Sequence, residues 1–215
     1  MKKIVVLGAD PQARIIPDIL GALDNLELTG FVEWGEGTKF LIGDAAGFPV
    51  FPGNQFPEEI QSRMGTFEVI IAMSPMEKRK ERIRQVKDLS LNPVTIIHPS
   101  AVISRSAEIG RGCLICPGVI IGPGAKIGDH TILNSAVTID HDSLIQENVI
   151  MGAGVHLPGY VKVLSDTFIG VGSCSVNGVT IGHNCLIGAG SVVTRDIPDN
   201  VIAAGVPARE IKKRG

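Results

Sequence analysis

The chain has 215 residues, a hydrophobic fraction of 44% and a formal net charge of −2, which allow one or two globular domains. The balanced charge disfavours nucleic-acid binding, and no apolar run approaches the roughly 20 residues of a membrane-spanning helix. The apolar run that follows Lys3 ends at Gly8, too short for the core of a signal peptide, so we expect a cytoplasmic protein without membrane partners.

Strand and helix signals alternate over the N-terminal part of the chain. Three apolar runs have the composition of strands: residues 3–7, 28–32 and 67–72. Three segments carry helix signals: residues 12–23, residues 54–64 with Asn54 as N-cap, and residues 75–89 behind a capping box that runs from Ser74 to Glu77. Residues 35–53, rich in Gly and Pro, are expected to form a loop. The alternation predicts a small parallel α/β sheet, a Rossmann-like domain over residues 1–92.

From Ile97 to Val193 the chain repeats every six residues. One position in each hexad is a large apolar residue throughout, except at Ser175, and a small or β-branched residue follows four places later. This period fits neither an α-helix, with about 3.6 residues per turn, nor an amphipathic strand, with a period of about two. It is typical of a parallel β-helix built from hexapeptides, which we predict for residues 93–215.

Three hexads make one triangular coil, so residues eighteen apart in sequence should stack in adjacent coils. Each inward Ile or Val then lies on its counterparts above and below, and the core becomes a column. A single prism of this kind is thin, and its side faces stay partly apolar. We therefore expect several copies to associate through those faces, with a closed ring as the natural arrangement.

Cys113 and Cys116 form a CxxC pattern, which also occurs in redox and zinc sites. The hexad places Cys113 at the small inward position, and the pattern lies inside an extended coil rather than at the start of a helix. No second CxxC accompanies it in the sequence. We therefore interpret both residues as core cysteines and expect no metal site.

Several motifs resemble those of the left-handed β-helix acyltransferases. They are the hexad series, residues 98–101 (His-Pro-Ser-Ala), residues 134–142 (Asn-Ser-Ala-Val-Thr-Ile-Asp-His-Asp) and residues 204–209 (Ala-Gly-Val-Pro-Ala-Arg). Within these enzymes the whole chain is most similar to bacterial sugar acetyltransferases, which acetylate a nucleotide-linked amino sugar or a sialic acid. The resemblance implies left-handed coils, acetyl-CoA as co-substrate and a homotrimer with active sites between subunits.

His141 is the candidate general base. Its hexad position is a turn that should point outward, with Asp140 and Asp142 on either side. Gly159, eighteen residues further on, should lie directly over it. An adjacent carboxylate can raise the basicity of an imidazole, and glycine lets a thioester approach the backbone. The resemblance implies that His141 is the base, that Asp142 tunes it and that the Gly159 N–H meets the thioester carbonyl.

The coenzyme contacts also follow from the resemblance. Small or apolar residues at matching turn positions imply a path for the pantetheine arm: Val171, Gly188, Ala189 and Gly190. Arg209 is implied as a phosphate ligand near the adenosine end. His156 lies one coil above the base, where it is either a residue of the acceptor or coenzyme pocket or a surface histidine.

The candidate acceptor contacts are Gly8, Asp10, Gln12, Glu33 and Asn134. Residues 8–12 stand where the family has a glycine-rich loop, and Asp10 adds negative charge where a phosphate would sit. Glu33 takes the place of an acidic residue used for the base or ribose. Asn134 matches the asparagine that precedes the family's histidine.

The resemblance thus predicts an acetyl-CoA-dependent acetyltransferase that acts on the amino group of a sugar, with a nucleotide-linked sugar as the acceptor. O-acetylation of a sialic acid or another hydroxylated acceptor is a second interpretation, since the same base serves an alcohol. A third is a binding or scaffold protein without catalysis. The zinc-dependent carbonic anhydrases that share this coil have a pair of histidines five residues apart, and no two histidines here have that spacing.

Overall fold

A computed structural model describes residues 1–9, 11–34, 47–74 and 76–214. The chain divides into two compact units, Met1–Ile96 and Ile97–Gly215.

The first unit is a small parallel sheet with flanking helices. Its elements are β1 (Lys2–Leu7), α1 (Ile16–Gly21), β2 (Leu26–Glu33), β3 (Val50–Pro52), α2 (Glu58–Met64), β4 (Glu68–Ile71) and α3 (Met76–Asp88). The strand order is β3-β2-β1-β4, and each pairing is parallel. The predicted parallel α/β architecture is confirmed.

The core of this unit lies on the two central strands. Val5 and Leu7 of β1 are fully buried, and they pack in one cluster with Val32, Phe51 and Val69. A strand with neighbours on both sides and helices over its faces buries side chains of both orientations. This explains why β1 reads as a continuous apolar run rather than an alternating one.

Three details of the first unit correct the sequence prediction. The expected loop over residues 35–53 contains β3, which is too short for a periodic signal. Asn54 does not cap α2: Gly53–Gln55 form a 3₁₀ turn, and the N-cap is Pro57. The first helix starts as a 3₁₀ turn over Pro11–Ile15 before it becomes α-helical. Asp10, Pro75 and residues 35–46 lie outside the described residues.

The second unit places a two-residue strand in every hexad. These strands are β5 (Ile96–Ile97), β6 (Val102–Ile103), β7 (Glu108–Ile109), β8 (Leu114–Ile115), β9 (Ile120–Ile121), β10 (Lys126–Ile127), β11 (Ile132–Leu133), β12 (Thr138–Ile139), β13 (Leu144–Ile145), β14 (Ile150–Met151), β15 (His156–Leu157), β16 (Lys162–Val163), β17 (Phe168–Ile169), β18 (Cys174–Ser175), β19 (Thr180–Ile181), β20 (Leu186–Ile187) and β21 (Val192–Val193). A terminal pair, β22 (Val201–Gly205) and β23 (Ala208–Lys213), is antiparallel.

The strands assemble into the three faces of a left-handed parallel β-helix, which confirms the predicted fold. Face 1 contains β5, β8, β11, β14, β17, β20, β22 and β23; face 2 contains β6, β9, β12, β15, β18 and β21; face 3 contains β7, β10, β13, β16 and β19. Thr138 pairs with His156, and Lys126 pairs with Leu144, so partners on successive coils are eighteen residues apart.

Inside the coils, the hexad residues form the predicted column. Ile121, Ile139 and Leu157 on face 2 are at most 2% exposed, because each lies between its counterparts in the coils below and above. The residue four places after the apolar one fills the rest of the interior, as at the fully buried Val137 and Val155.

The turns between faces stack into corners. The first corner, between faces 2 and 3, contains turns 122–124, 140–142, 158–160 and 176–178. The third corner, between faces 1 and 2, contains turns 134–136, 152–154, 170–172 and 188–190. Side chains that protrude from one corner therefore lie eighteen residues apart, and this spacing builds the candidate site.

Candidate active site

His141 lies at the first corner, where two carboxylates hold it. Its Nδ1 is 2.9 Å from Asp142 Oδ2, and its backbone N–H donates to Asp140 Oδ1 at 2.7 Å. Since 42% of the His141 side chain is exposed, the ring remains open to a substrate. The carboxylates therefore fix both the backbone and the ring and leave Nε2 for chemistry.

The turn itself orients Asp142. This residue has φ 56° and donates its N–H to the Pro123 carbonyl in the coil below, at 2.9 Å. A Cβ at Gly124 would lie 2.7 Å from Asp142 Oδ1, so glycine in that turn leaves room for the carboxylate.

Gly159 lies against the edge of the His141 ring. A Cβ at this position would be 2.6 Å from both Cε1 and Nε2 of His141, so a larger residue would displace the imidazole. The Gly159 carbonyl accepts the Gly178 N–H at 3.1 Å, whereas the Gly159 N–H has no acceptor among the described residues. The structure thus places the Gly159 turn, with its unpaired N–H, against the His141 ring.

Electrostatics make His141 more basic than an ordinary histidine. The hydrogen bond with Asp142 raises the pKa of His141 above 6.5, and the charges of Asp140 and Asp142 act in the same direction against partial desolvation. A raised pKa makes the neutral imidazole a stronger proton acceptor.

Tyr160 was not singled out from the sequence. Its ring lies edge-on to His141, with centroids 5.0 Å apart and planes at 88°. It is 58% exposed. Its spacing of eighteen residues from Asp142 is the signal that places it here, since that spacing stacks the two turns.

A groove of about 490 Å³ runs along face 2 beside the first corner. Asp140, Pro158 and Ser175 line it, together with His156, whose Nδ1 is 2.9 Å from Thr138 Oγ1. His156 is therefore an exposed groove residue, and it lies one coil above Thr138 on face 2.

The candidate coenzyme residues assemble at the third corner, away from His141 within one chain. Val171 is 54% exposed, and its carbonyl accepts the Gly190 N–H at 2.8 Å. A Cβ at Gly170 would lie 2.5 Å from Ala189 N, so these turns stack closely. Gly188 and Ala189 belong to the same corner, and face 2 separates this group from His141.

Asn134 also lies at the third corner rather than beside His141. Its side-chain amide donates to the Met151 carbonyl at 2.8 Å, which stabilises the stacked turns. Arg209 lies in β23, exposed, and its guanidinium donates to its neighbour's carbonyl, Ala208 O, at 2.8 Å.

In the first unit, Gly8 and Gln12 follow β1, and Glu33 is the last residue of β2. Gly8 has φ 116°, and a Cβ there would lie 2.8 Å from the Ala72 carbonyl oxygen, so only glycine fits. Gln12 is half-buried in the 3₁₀ turn, and Glu33 Oε1 accepts the Trp34 N–H at 2.9 Å. Asp10, the remaining candidate in this group, lies outside the described residues.

Trp34 fills part of the space after β2. Its ring lies 4.3 Å from the Arg82 guanidinium carbon and meets Phe56 edge-on at 5.8 Å. A Cβ at Gly53 would collide with the indole. The ring is therefore held on several sides by the protein itself.

The CxxC cysteines lie in the core. Cys113 and Cys116 are both fully buried, and neither forms a disulfide bond. Burial raises the pKa of the Cys116 thiol to about 12. Within the described residues, no cluster of three or more His, Cys, Asp and Glu side chains could hold a metal ion. Over the same part of the chain, no helix is long and apolar enough to cross a membrane.

Comparisons with known families identify the repeat. Residues 106–141 match the family described as bacterial transferase hexapeptide (six repeats), and residues 161–195 match the hexapeptide repeat of succinyl-transferase.

Two solved structures resemble the chain over almost its whole length. The acetyltransferase domain of PglB from Neisseria gonorrhoeae is 30% identical, with a TM-score of 0.87, and the match covers 98% of this chain and 100% of that one. A histidine mutant of perosamine N-acetyltransferase from Caulobacter crescentus, in complex with CoA and GDP-perosamine, is 30% identical, with a TM-score of 0.89 and coverage of 99% and 98%.

Curated relatives match over shorter stretches. Galactoside O-acetyltransferase from Escherichia coli is 39% identical over 89 residues, which are 36% of this chain and 44% of that protein. The chain spans less than half the length of this relative.

Proposed function

Because the chain belongs to the hexapeptide-repeat acetyltransferases, we propose that it transfers the acetyl group of acetyl-CoA to the amino group of a nucleotide-linked sugar, with His141 as general base. The observation that carries this proposal is the cluster at the first corner. There the His141 ring is hydrogen-bonded to Asp142, and the Gly159 backbone lies beside the ring near Cε1 and Nε2.

The chemistry follows from this geometry. With Nδ1–H donating to Asp142, Nε2 is free to accept the proton of the acceptor amine as the nitrogen attacks the thioester carbon. The unpaired Gly159 N–H stabilises the negative charge that develops on the thioester oxygen. The C–S bond then breaks, and the proton on Nε2 passes to the departing thiolate of CoA.

The donor fits the groove on face 2. A thioester whose oxygen meets Gly159 N–H has the open groove along Pro158 and His156 for its pantetheine arm. The small residues at the third corner, including Val171 and Ala189, offer a close-packed backbone surface for the same arm. Arg209 supplies a cation for a phosphate of the coenzyme.

Within one chain, the site at the first corner and the small residues at the third corner lie apart. This separation supports a homotrimer, in which neighbouring copies bring them together. The first and third corners lie at opposite edges of face 2, and the outer residues Val102 and Ile120 of that face are 63% and 47% exposed. Packing face 2 of three copies around an axis buries these residues and brings the first corner of one copy to the third corner of the next.

We assign acceptor binding to the first unit. Gly8, Gln12 and Glu33 stand at the carboxyl ends of its parallel strands, where open α/β sheets bind ligands. The bound GDP-perosamine in the Caulobacter relative supports a nucleotide amino sugar as the acceptor class. O-acetylation is the second candidate, favoured by the match to galactoside O-acetyltransferase.

An acceptor panel tests the proposal. UDP-, dTDP- and GDP-linked amino sugars, free amino sugars, a sialic acid and a galactoside are incubated with acetyl-CoA and either wild-type protein or the His141→Asn variant. We expect His141-dependent release of CoA with a nucleotide amino sugar. Release only with the sialic acid or galactoside supports O-acetylation, and coenzyme binding without transfer to any acceptor supports a non-catalytic protein.

A further inference from the structure

The backbone hydrogen bonds that join successive coils on face 2 follow one pattern. The residue after each strand donates its N–H to the carbonyl of the inward residue in the next coil. Gly122 N–H donates to Ile139 O at 2.8 Å, and Asp140 N–H donates to Leu157 O at 2.9 Å. Val176 N–H donates to Val193 O at 2.9 Å higher up the same face.

Pro158 breaks this pattern one coil above His141. It occupies the position of Gly122 and Asp140, but proline has no N–H to donate. The carbonyl of Ser175, which should receive that bond, has no donor within the described parts of the chain. The pairing of β15 with β18 accordingly retains His156 with Cys174 and lacks the next pair.

Ser175 is unusual in a second respect. It is the one polar residue in the inward hexad series, and its buried Oγ also lacks a hydrogen-bond partner among the described residues. A buried polar group without a partner costs stability, so such groups in folded proteins call for a specific explanation.

The missing hydrogen bond lies beside the groove on face 2, next to the first corner. Pro158 and Ser175 both line the groove of about 490 Å³ on face 2. Pro158 directly precedes Gly159, whose unpaired N–H is the proposed contact for the thioester oxygen. A chain extending from that thioester along the groove therefore passes Ser175.

We propose that the Ser175 carbonyl oxygen accepts a hydrogen bond from one of the two amide N–H groups in the pantetheine arm of coenzyme A. These secondary amides are the hydrogen-bond donors in that part of the coenzyme. A backbone carbonyl that accepts no hydrogen bond from the neighbouring coil is a matching acceptor. Pro158 would thus be a positioning residue, since it keeps this carbonyl available. The inference rests on the proposed function, because it requires coenzyme A in the groove.

Two changes test the contact, one in the protein and one in the ligand. Pro158→Ala supplies the missing N–H, and Pro117→Ala is the matched control. Pro117 lies one position later in its hexad than Pro158 does, so in that coil the inter-coil hydrogen bond is already made by the preceding residue, from Cys116 N–H to Leu133 O at 3.0 Å. The ligands are coenzyme A and two analogues, each with one pantetheine amide replaced by an ester, which removes one donor. Amide exchange at position 158 shows whether the new hydrogen bond forms.

We expect calorimetry to show a rise of about five- to tenfold in Kd when wild-type protein or the Pro117→Ala variant is given one of the two esters. The Pro158→Ala variant, with a protected amide at position 158, should bind coenzyme A more weakly and lose little further affinity with that ester. Equal losses in wild type and Pro158→Ala with both esters would overturn the inference.

Two further outcomes are distinct. If the Ser175→Ala variant no longer distinguishes the esters from coenzyme A, the acceptor is the hydroxyl and the carbonyl assignment is wrong. If wild-type protein binds no coenzyme A at all, the proposed function fails, and this inference fails with it.

Discussion

The two units of this protein differ in how well the sequence spacing between two residues predicts whether they are neighbours in space. In the β-helix, residues eighteen apart stack, so Thr138 lies beside His156 and Gly159 lies over His141. In the α/β unit, each helix and turn has its own geometry, as β3 and the 3₁₀ turn at Gly53–Gln55 show. In a periodic fold, sequence spacing predicts which residues come together in a site, whereas in an irregular fold it does not.

The proposed roles of the two units differ in the same way. The proposed donor site and the proposed base, His141, lie on the β-helix, where Gly159 stacks closely on the His141 ring. The proposed acceptor contacts lie on the irregular unit. Substitutions in the periodic unit should therefore change the chemical step, and those in the first unit should change the choice of acceptor.

Removing the base should have the largest effect. His141→Asn keeps a polar side chain at the first corner but cannot accept the acceptor's proton, so kcat should fall by about 10²- to 10⁴-fold. The Kd for coenzyme A, measured by calorimetry, should stay within about twofold, since His141 does not hold the pantetheine arm. A variant that transfers acetyl at the wild-type rate would remove His141 from the mechanism.

Gly159→Ala should rank second. Its Cβ would lie 2.6 Å from the His141 ring, so the imidazole must move, and kcat should fall by about ten- to a hundredfold. Gly21→Ala is the control, because a Cβ there meets nothing within 4 Å. Unchanged turnover with Gly159→Ala would show that the stacking of the two turns does not position the base.

Asp142→Asn should lower kcat/KM by about tenfold and shift its pH dependence. The base works when neutral, so kcat/KM rises as pH passes upward through the pKa of His141. Asp142 raises that pKa, and its loss should move the rise to lower pH. A pH–rate profile for both proteins measures the shift, and a rise that stays in place would separate Asp142 from the base.

Glu33→Gln should have the smallest effect and should confine it to the acceptor. Gln retains an oxygen that can accept the Trp34 N–H, so the local fold is kept while the charge is lost. The KM for the nucleotide amino sugar should change by about two- to fivefold, in line with loss of the charge of one half-buried side chain, and the KM for acetyl-CoA should not. A change in the KM for acetyl-CoA instead would contradict the proposal that the first unit binds the acceptor and the β-helix binds the donor.

These differences also explain what the sequence could predict. The hexad series located the strands, the inward column and the contact of Gly159 with His141, because each depends only on spacing. Tyr160 and the Pro158–Ser175 break obey the same spacing but needed the hydrogen-bond pattern to be noticed. In the first unit, β3 and the start of α2 depend on tertiary packing and leave no periodic signal.

The proposed reaction depends on a neutral His141 whose pKa Asp142 raises. The most direct measurement is an NMR titration of the His141 imidazole, compared with the pH dependence of kcat/KM in the same buffer. We predict one shared pKa above the ordinary histidine value, with both values falling together in Asp142→Asn. A kinetic pKa that differs from that of His141, or that Asp142→Asn leaves in place, would contradict the claim.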